Sequence, residues 1–116
     1  MNTKLYIKDL PSNLDLCKEI AIDTETMGLK SNRDRLCLIQ IADKNGNVYI
    51  LQIEKNQTEA PNLSSVLENK NILKIFHFAR FDVGALYRTL NVITRSIYCT
   101  KIATNIARTY SQNHGL

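Results

Sequence analysis

The stretch Ala21–Leu29 reads AIDTETMGL and places Asp23 and Glu25 two residues apart. In an extended strand, residues i and i+2 share a face. The two carboxylates would then stand side by side at the end of the apolar run Ile20-Ala21-Ile22. Like charges that close raise each other's pKa, and burial adds to the cost. Divalent cations relieve such a pair, because hard ions take carboxylate oxygens as ligands. Two ions held about 3.5–4 Å apart can flank a phosphoryl group undergoing displacement. A site of that kind needs more acids from elsewhere in the chain. Asp82 is the natural candidate. It lies in the first turn of a helix predicted from Ala79, just past a strand predicted over Ile72–Phe76. The helix dipole favours an acid there, and sites in open α/β sheets assemble beyond the carboxyl ends of strands. Taken singly, each feature also has an ordinary reading: an Asp-x-Glu pair arises by chance, and a helix-start acid needs no chemistry.

The elements that must position these residues follow from periodicity. Glu19–Thr24 alternates as a strand, and Leu36–Ala42 and Val48–Ile53 are two more. The Asn45-Gly46 pair between the latter two tolerates positive φ and signals a hairpin. Together these three strands make an antiparallel meander. A short helix is predicted over Leu63–Asn69, and the fourth strand follows at Ile72–Phe76. From Ala79 the period becomes helical, with Ala79, Val83, Leu86 and Leu90 on one stripe. A short extended piece, Ser96–Tyr98, leads to a last helix over about residues 100–110, striped by Ile102, Ala103, Ile106, Ala107 and Tyr110. The pattern is that of one α/β domain over residues 1–116. Its mixed sheet joins an antiparallel end to strands linked by crossover helices.

Composition narrows the function classes. The chain has 116 residues and 44% hydrophobic content, which suits one globular core. No apolar run approaches the roughly 20 residues of a membrane span, and no signal-peptide pattern opens the chain. Cys17, Cys37 and Cys99 are odd in number and widely spaced, so buried cytosolic thiols are expected rather than a disulfide framework or a zinc site. The net charge of +4 is uneven: residues 59–116 carry seven basic and three acidic side chains, and no acid follows Asp82. An electropositive half attracts polyanions such as nucleic acid, although solvated helix faces give the same count.

Four segments, AIDTETMGL, RLCLIQIA, KIFHFARFDVGALYRTL and IYCTKIATNIARTYSQNHGL, together resemble the N-terminal part of a ribonuclease D-like 3′→5′ exonuclease. That group belongs to the DEDD superfamily, with a ribonuclease H-like fold. The resemblance implies hydrolysis of phosphodiester bonds at a single-stranded 3′ end, with RNA favoured over DNA and release of nucleoside monophosphates. It implies two Mg2+ or Mn2+ ions, one helping to generate the attacking hydroxide and the other stabilising the leaving 3′ oxygen. It makes Asp23, Glu25 and Asp82 the metal ligands and catalytic carboxylates. Thr26, Met27, Gly28 and Leu29 resemble the stretch that contacts the terminal nucleotide, Gly28 permitting close backbone approach. His77 falls at a position near the substrate, in a contacting or a structural role.

The departure matters as much as the match. The family's third motif sets a Tyr or His four residues before a fourth Asp, and no acid follows Asp82 here. Neither Tyr98 nor Tyr110 has an Asp four residues later. The chain is therefore expected to lack the C-terminal helices, leaving the sheet and Leu86, Ile102 and Ile106 partly uncovered. Two readings result. Either a complementing C-terminal polypeptide or self-association completes the site, or the chain is a remnant that binds nucleic acid or a partner chain without turnover.

Overall fold

The computed structural model describes residues 2–30 and 33–100. Its element order is β1 (Thr3–Ile7), β2 (Glu19–Thr26), β3 (Leu36–Asp43), β4 (Val48–Gln52), α1 (Pro61–Glu68), β5 (Leu73–Phe76), α2 (Ala79–Leu90) and β6 (Ile97–Cys99). The strands form one sheet in the order β1-β4-β3-β2-β5-β6. The β2-β3-β4 meander is antiparallel as expected, with Gly46 at φ 85° in the turn between β3 and β4. β5 runs parallel to β2, and β6 parallel to β5. The mixed α/β sheet expected from the pattern is therefore the observed architecture. The helix expected over residues 100–110 lies, beyond Thr100, outside the described residues.

β1 was not legible in the sequence. It is an edge strand parallel to β4 whose side chains are almost all exposed, so no apolar alternation marks it. Backbone pairing along the edge of β4 and the stacking of Tyr6 on Tyr49 (ring centroids 6.5 Å apart) hold it.

One face of the sheet carries the core. Ile20 and Ile22 of β2, Ile39 and Ile41 of β3, and Tyr49 and Leu51 of β4 lie on it. They pack with Leu63 and Leu67 of α1 and with Ala85, Leu86 and Leu90 of α2. Leu86 is fully buried within the core cluster, which corrects the expectation that it would be partly uncovered: α2 lies directly against β2, β3 and β5. The N-terminus of α1 is capped from a distance. Its own N-cap, Ala60, has no side chain to offer, and the carboxylate of Asp9 accepts hydrogen bonds from the N–H groups of Asn62 (2.9 Å) and Leu63 (3.0 Å).

The C-terminal side of α1 is held by Lys74. This β5 side chain sits on the core face, fully buried, and its ammonium donates to the Asn69 carbonyl at the helix C-cap. A cation suits the negative end of a helix. Burial nevertheless pushes the Lys74 pKa down to about 8.

Candidate active site

The alternation of β2 divides its residues between two faces. Ile20, Ile22 and Thr24 point into the core, and Glu19, Ala21, Asp23 and Glu25 point to the open face. Asp23 and Glu25 thus share a face, as the spacing predicts. Opposite them on β3 stand Gln40 and Leu38. The register slips between Glu25 and Thr26, so that Cys37 of β3 is passed over in the pairing. Such irregularities re-aim side chains at strand ends.

Asp82 arrives from the other layer. It lies on the buried stripe of α2 with Ala79, Ala85 and Leu86, and only 4% of it is exposed. A carboxylate on an apolar stripe needs a partner, and the hydroxyl of Thr24 donates to its Oδ1. Thr24 is the residue between Asp23 and Glu25, so one hydrogen bond ties the helix acid to the strand that carries the other two. The electrostatics record the proximity. Burial is the largest cause raising the Asp82 pKa, to about 6; the Thr24 hydrogen bond opposes the rise, and the negative charges of Asp23 and Glu25 add to it. Thr24 does carry a sequence signal: it is a hydroxyl in the core register after Ile20 and Ile22.

His77 follows the last residue of β5. Ala21 pairs with Ile75, so continuing that parallel register brings His77 level with Asp23 on the same face. Asp23, Ala21, Gln40, Ala42, Ile75, His77 and Thr100 accordingly line one groove of ≈ 370 Å³ on the open face. His77 Nδ1 lies 2.8 Å from Thr100 Oγ1. The chain then turns sharply into α2 through Phe78, which adopts the left-handed conformation at φ 59°.

The segment Thr26–Leu29 leaves β2 as an exposed turn. Met27 is 70% and Leu29 86% exposed, an unusual display of large apolar side chains beside charged groups. The Thr26 hydroxyl donates to the Gly28 carbonyl and tightens the turn. Within the chain itself Gly28 is also needed for packing. A Cβ added there would sit 2.3 Å from Asp34 Oδ2, so the close approach it permits is that of a carboxylate from the same loop. Asp34 in turn accepts from the Lys30 N–H (2.9 Å) and from Arg33 Nε (2.9 Å).

Among the described residues, no three His, Cys, Asp or Glu side chains are gathered closely enough to grip a metal ion as they stand. The chemistry of the donor set still fits one. Asp23, Glu25 and Asp82 offer only hard oxygen donors, and an accumulation of negative charge that already perturbs Asp82 is what a divalent cation relieves. No helix among the described residues is long and apolar enough to cross a membrane.

This sheet order, with two acids on the central strand β2 and a third on α2, the crossover helix between β5 and β6, defines a ribonuclease H-like exonuclease fold. The chain belongs to the 3′-5′ exonuclease family, whose model matches residues 2–116, and within it to the ribonuclease D-like group of the DEDD superfamily. Ribonuclease D of Bartonella henselae is 34% identical over 87 residues, covering 75% of this chain and 21% of that protein. Among solved structures, Brucella melitensis NrnC with bound Mg2+ superposes with a TM-score of 0.93 at 43% identity, over 100% of this chain and 58% of that one. NrnC of the same organism bound to pGG gives a TM-score of 0.91 at 43% identity, over 100% of this chain and 57% of that one. The chain thus spans about a fifth of the length of the ribonuclease D relative.

Proposed function

We propose that this chain carries the metal-binding side of a 3′→5′ exonuclease that removes nucleoside monophosphates from single-stranded 3′ ends, preferentially of RNA. The observation that carries the reading is the Thr24–Asp82 hydrogen bond. It fastens a buried helix carboxylate to the strand bearing Asp23 and Glu25, in a chain of the exonuclease family. Similarity to an NrnC described with bound Mg2+, and to one bound to pGG, supports a divalent cation and a short nucleic-acid substrate.

In this reading Asp23, Glu25 and Asp82 hold two Mg2+ or Mn2+ ions. When bound, such ions neutralise phosphate charge and supply Lewis acidity to the displacement. The chain's own groups do the rest. The exposed side chains of Met27 and Leu29 give the terminal base and sugar an apolar surface, while Thr26 and Gly28 fix the turn that presents them. His77 and Gln40 line the groove beside Asp23.

A second reading is binding without turnover, favoured by the three acids not being gathered into a closed metal cluster among the described residues. One assay separates the two. RNA labelled at its 5′ end and incubated with Mn2+ yields a ladder of 3′-shortened products if the chain turns over. Asp82→Ala then slows it by at least about 100-fold, the scale of losing one transition-state contact. A ladder undiminished in Asp82→Ala would remove Asp82 from the site. Saturable RNA binding with no ladder would establish the second reading.

A further inference from the structure

We propose that Thr100 is a positioning residue that fixes the proton of His77 on Nδ1, leaving Nε2 as a bare acceptor for a sugar hydroxyl of the terminal nucleotide. The hydroxyl assignment rests on the nuclease reading above; the proton assignment does not.

The argument is one of counting protons. Thr100 Oγ1 makes two polar contacts, 2.8 Å to His77 Nδ1 and 3.2 Å to the carbonyl oxygen of Phe76. A hydroxyl has one proton to give and two lone pairs to accept with. The Phe76 carbonyl can only accept, so the second contact is a hydrogen bond only if the Thr100 proton points to it. The first contact then requires His77 to donate from Nδ1. A neutral imidazole protonated at Nδ1 has a lone pair at Nε2. Among the described residues, nothing contacts Nε2. His77 lines the groove that Asp23 also lines, and Thr100 lines it too. The groove wall is otherwise mainly apolar, built from Ala21, Ala42, Val48 and Ile75.

An unprotonated ring nitrogen in such a groove selects a donor. Phosphate oxygens at neutral pH are acceptors and are disfavoured against it. A sugar hydroxyl is a donor, and the terminal nucleotide brings two. If the 2′-hydroxyl is the group held, His77 favours RNA over DNA. If the 3′-hydroxyl is held, His77 senses a free chain end on either.

Two measurements on the intact chain test this. Long-range 1H–15N correlation spectra at about pH 8 read the tautomer directly. We expect His77 protonated at Nδ1 in the wild type and in Thr100→Ser. In Thr100→Val we expect a shift to Nε2 protonation or a mixture, with the thermal midpoint recorded as a control on folding. Protonation at Nε2 in the wild type, or a spectrum unmoved by Thr100→Val, overturns the positioning role. The second measurement is fluorescence anisotropy in Ca2+ with 5′-labelled RNA ending in an ordinary, a 2′-deoxy or a 3′-deoxy nucleotide. One of the two deoxy ends should weaken wild-type binding by about 3- to 10-fold, the scale of one hydrogen bond, and cause no loss in His77→Phe. Equal binding of all three ends by the wild type, or a loss that persists in His77→Phe, overturns the hydroxyl assignment. If no RNA binds the wild type at all, the nuclease reading fails and takes the hydroxyl assignment with it. The tautomer result is then unaffected.

Discussion

At the scale of the residue, Asp82 is held at a cost. Its carboxyl sits on the apolar stripe of α2, its pKa is raised to about 6 chiefly by burial, and two negative charges face it. A raised carboxyl pKa contributes stability that is fully present below the ordinary value and is lost as pH rises through about 6. Asp82→Asn keeps an oxygen to accept from Thr24 and removes the charge. Without metal at about pH 7.5, the variant should therefore unfold at higher denaturant than the wild type, by about 1–3 kcal/mol. The gain should vanish below about pH 4. A variant less stable than wild type at neutral pH would mean that the ionised carboxylate is not under strain. Such a trade of stability for charge is expected where a group is kept for function. The sequence showed the acids and the face that Asp23 and Glu25 share. It did not show that Thr24 is the link to Asp82, because a link across 58 positions of chain depends on how α2 lies over the sheet.

At the scale of the element, strands with buried alternation were readable, and of those without it the extended piece at β6 was read while β1 was not. β2, β3 and β4 each alternate against the core, so their existence and pairing followed from pattern and from Asn45-Gly46. β1 carries no such pattern, since only Tyr6 of it turns inward, stacking on Tyr49 of β4. The anchoring of α1 was equally hidden. Its N-terminal N–H groups are satisfied by Asp9, more than 50 positions away, and Lys74 reaches back to the carbonyl of its C-cap Asn69. Lys74 makes this testable. A depressed lysine pKa gives stability that is fully present above the ordinary value near 10.5 and is lost as pH falls through about 8. Between about pH 8 and pH 10 the wild type should gain on Lys74→Met by about 1–3 kcal/mol in chemical unfolding, and below that window the difference should be flat. A difference independent of pH throughout would show that the ammonium is solvated.

At the scale of the whole molecule, the helices and the core occupy one face of the sheet, and Asp23, Glu25 and His77 lie at its open side. The proposed function makes Asp23, Glu25 and Asp82 ligands of a divalent cation. The account therefore stands on whether those three are a cation site, and the direct measurement is calorimetric titration of Mn2+ into the 116-residue chain. The wild type should bind saturably. Glu25→Gln and Asp82→Asn should each weaken binding by at least about 10-fold, as losing even a supporting contact at a metal site does. No saturable binding by the wild type, or binding that both variants retain unchanged, would contradict the account.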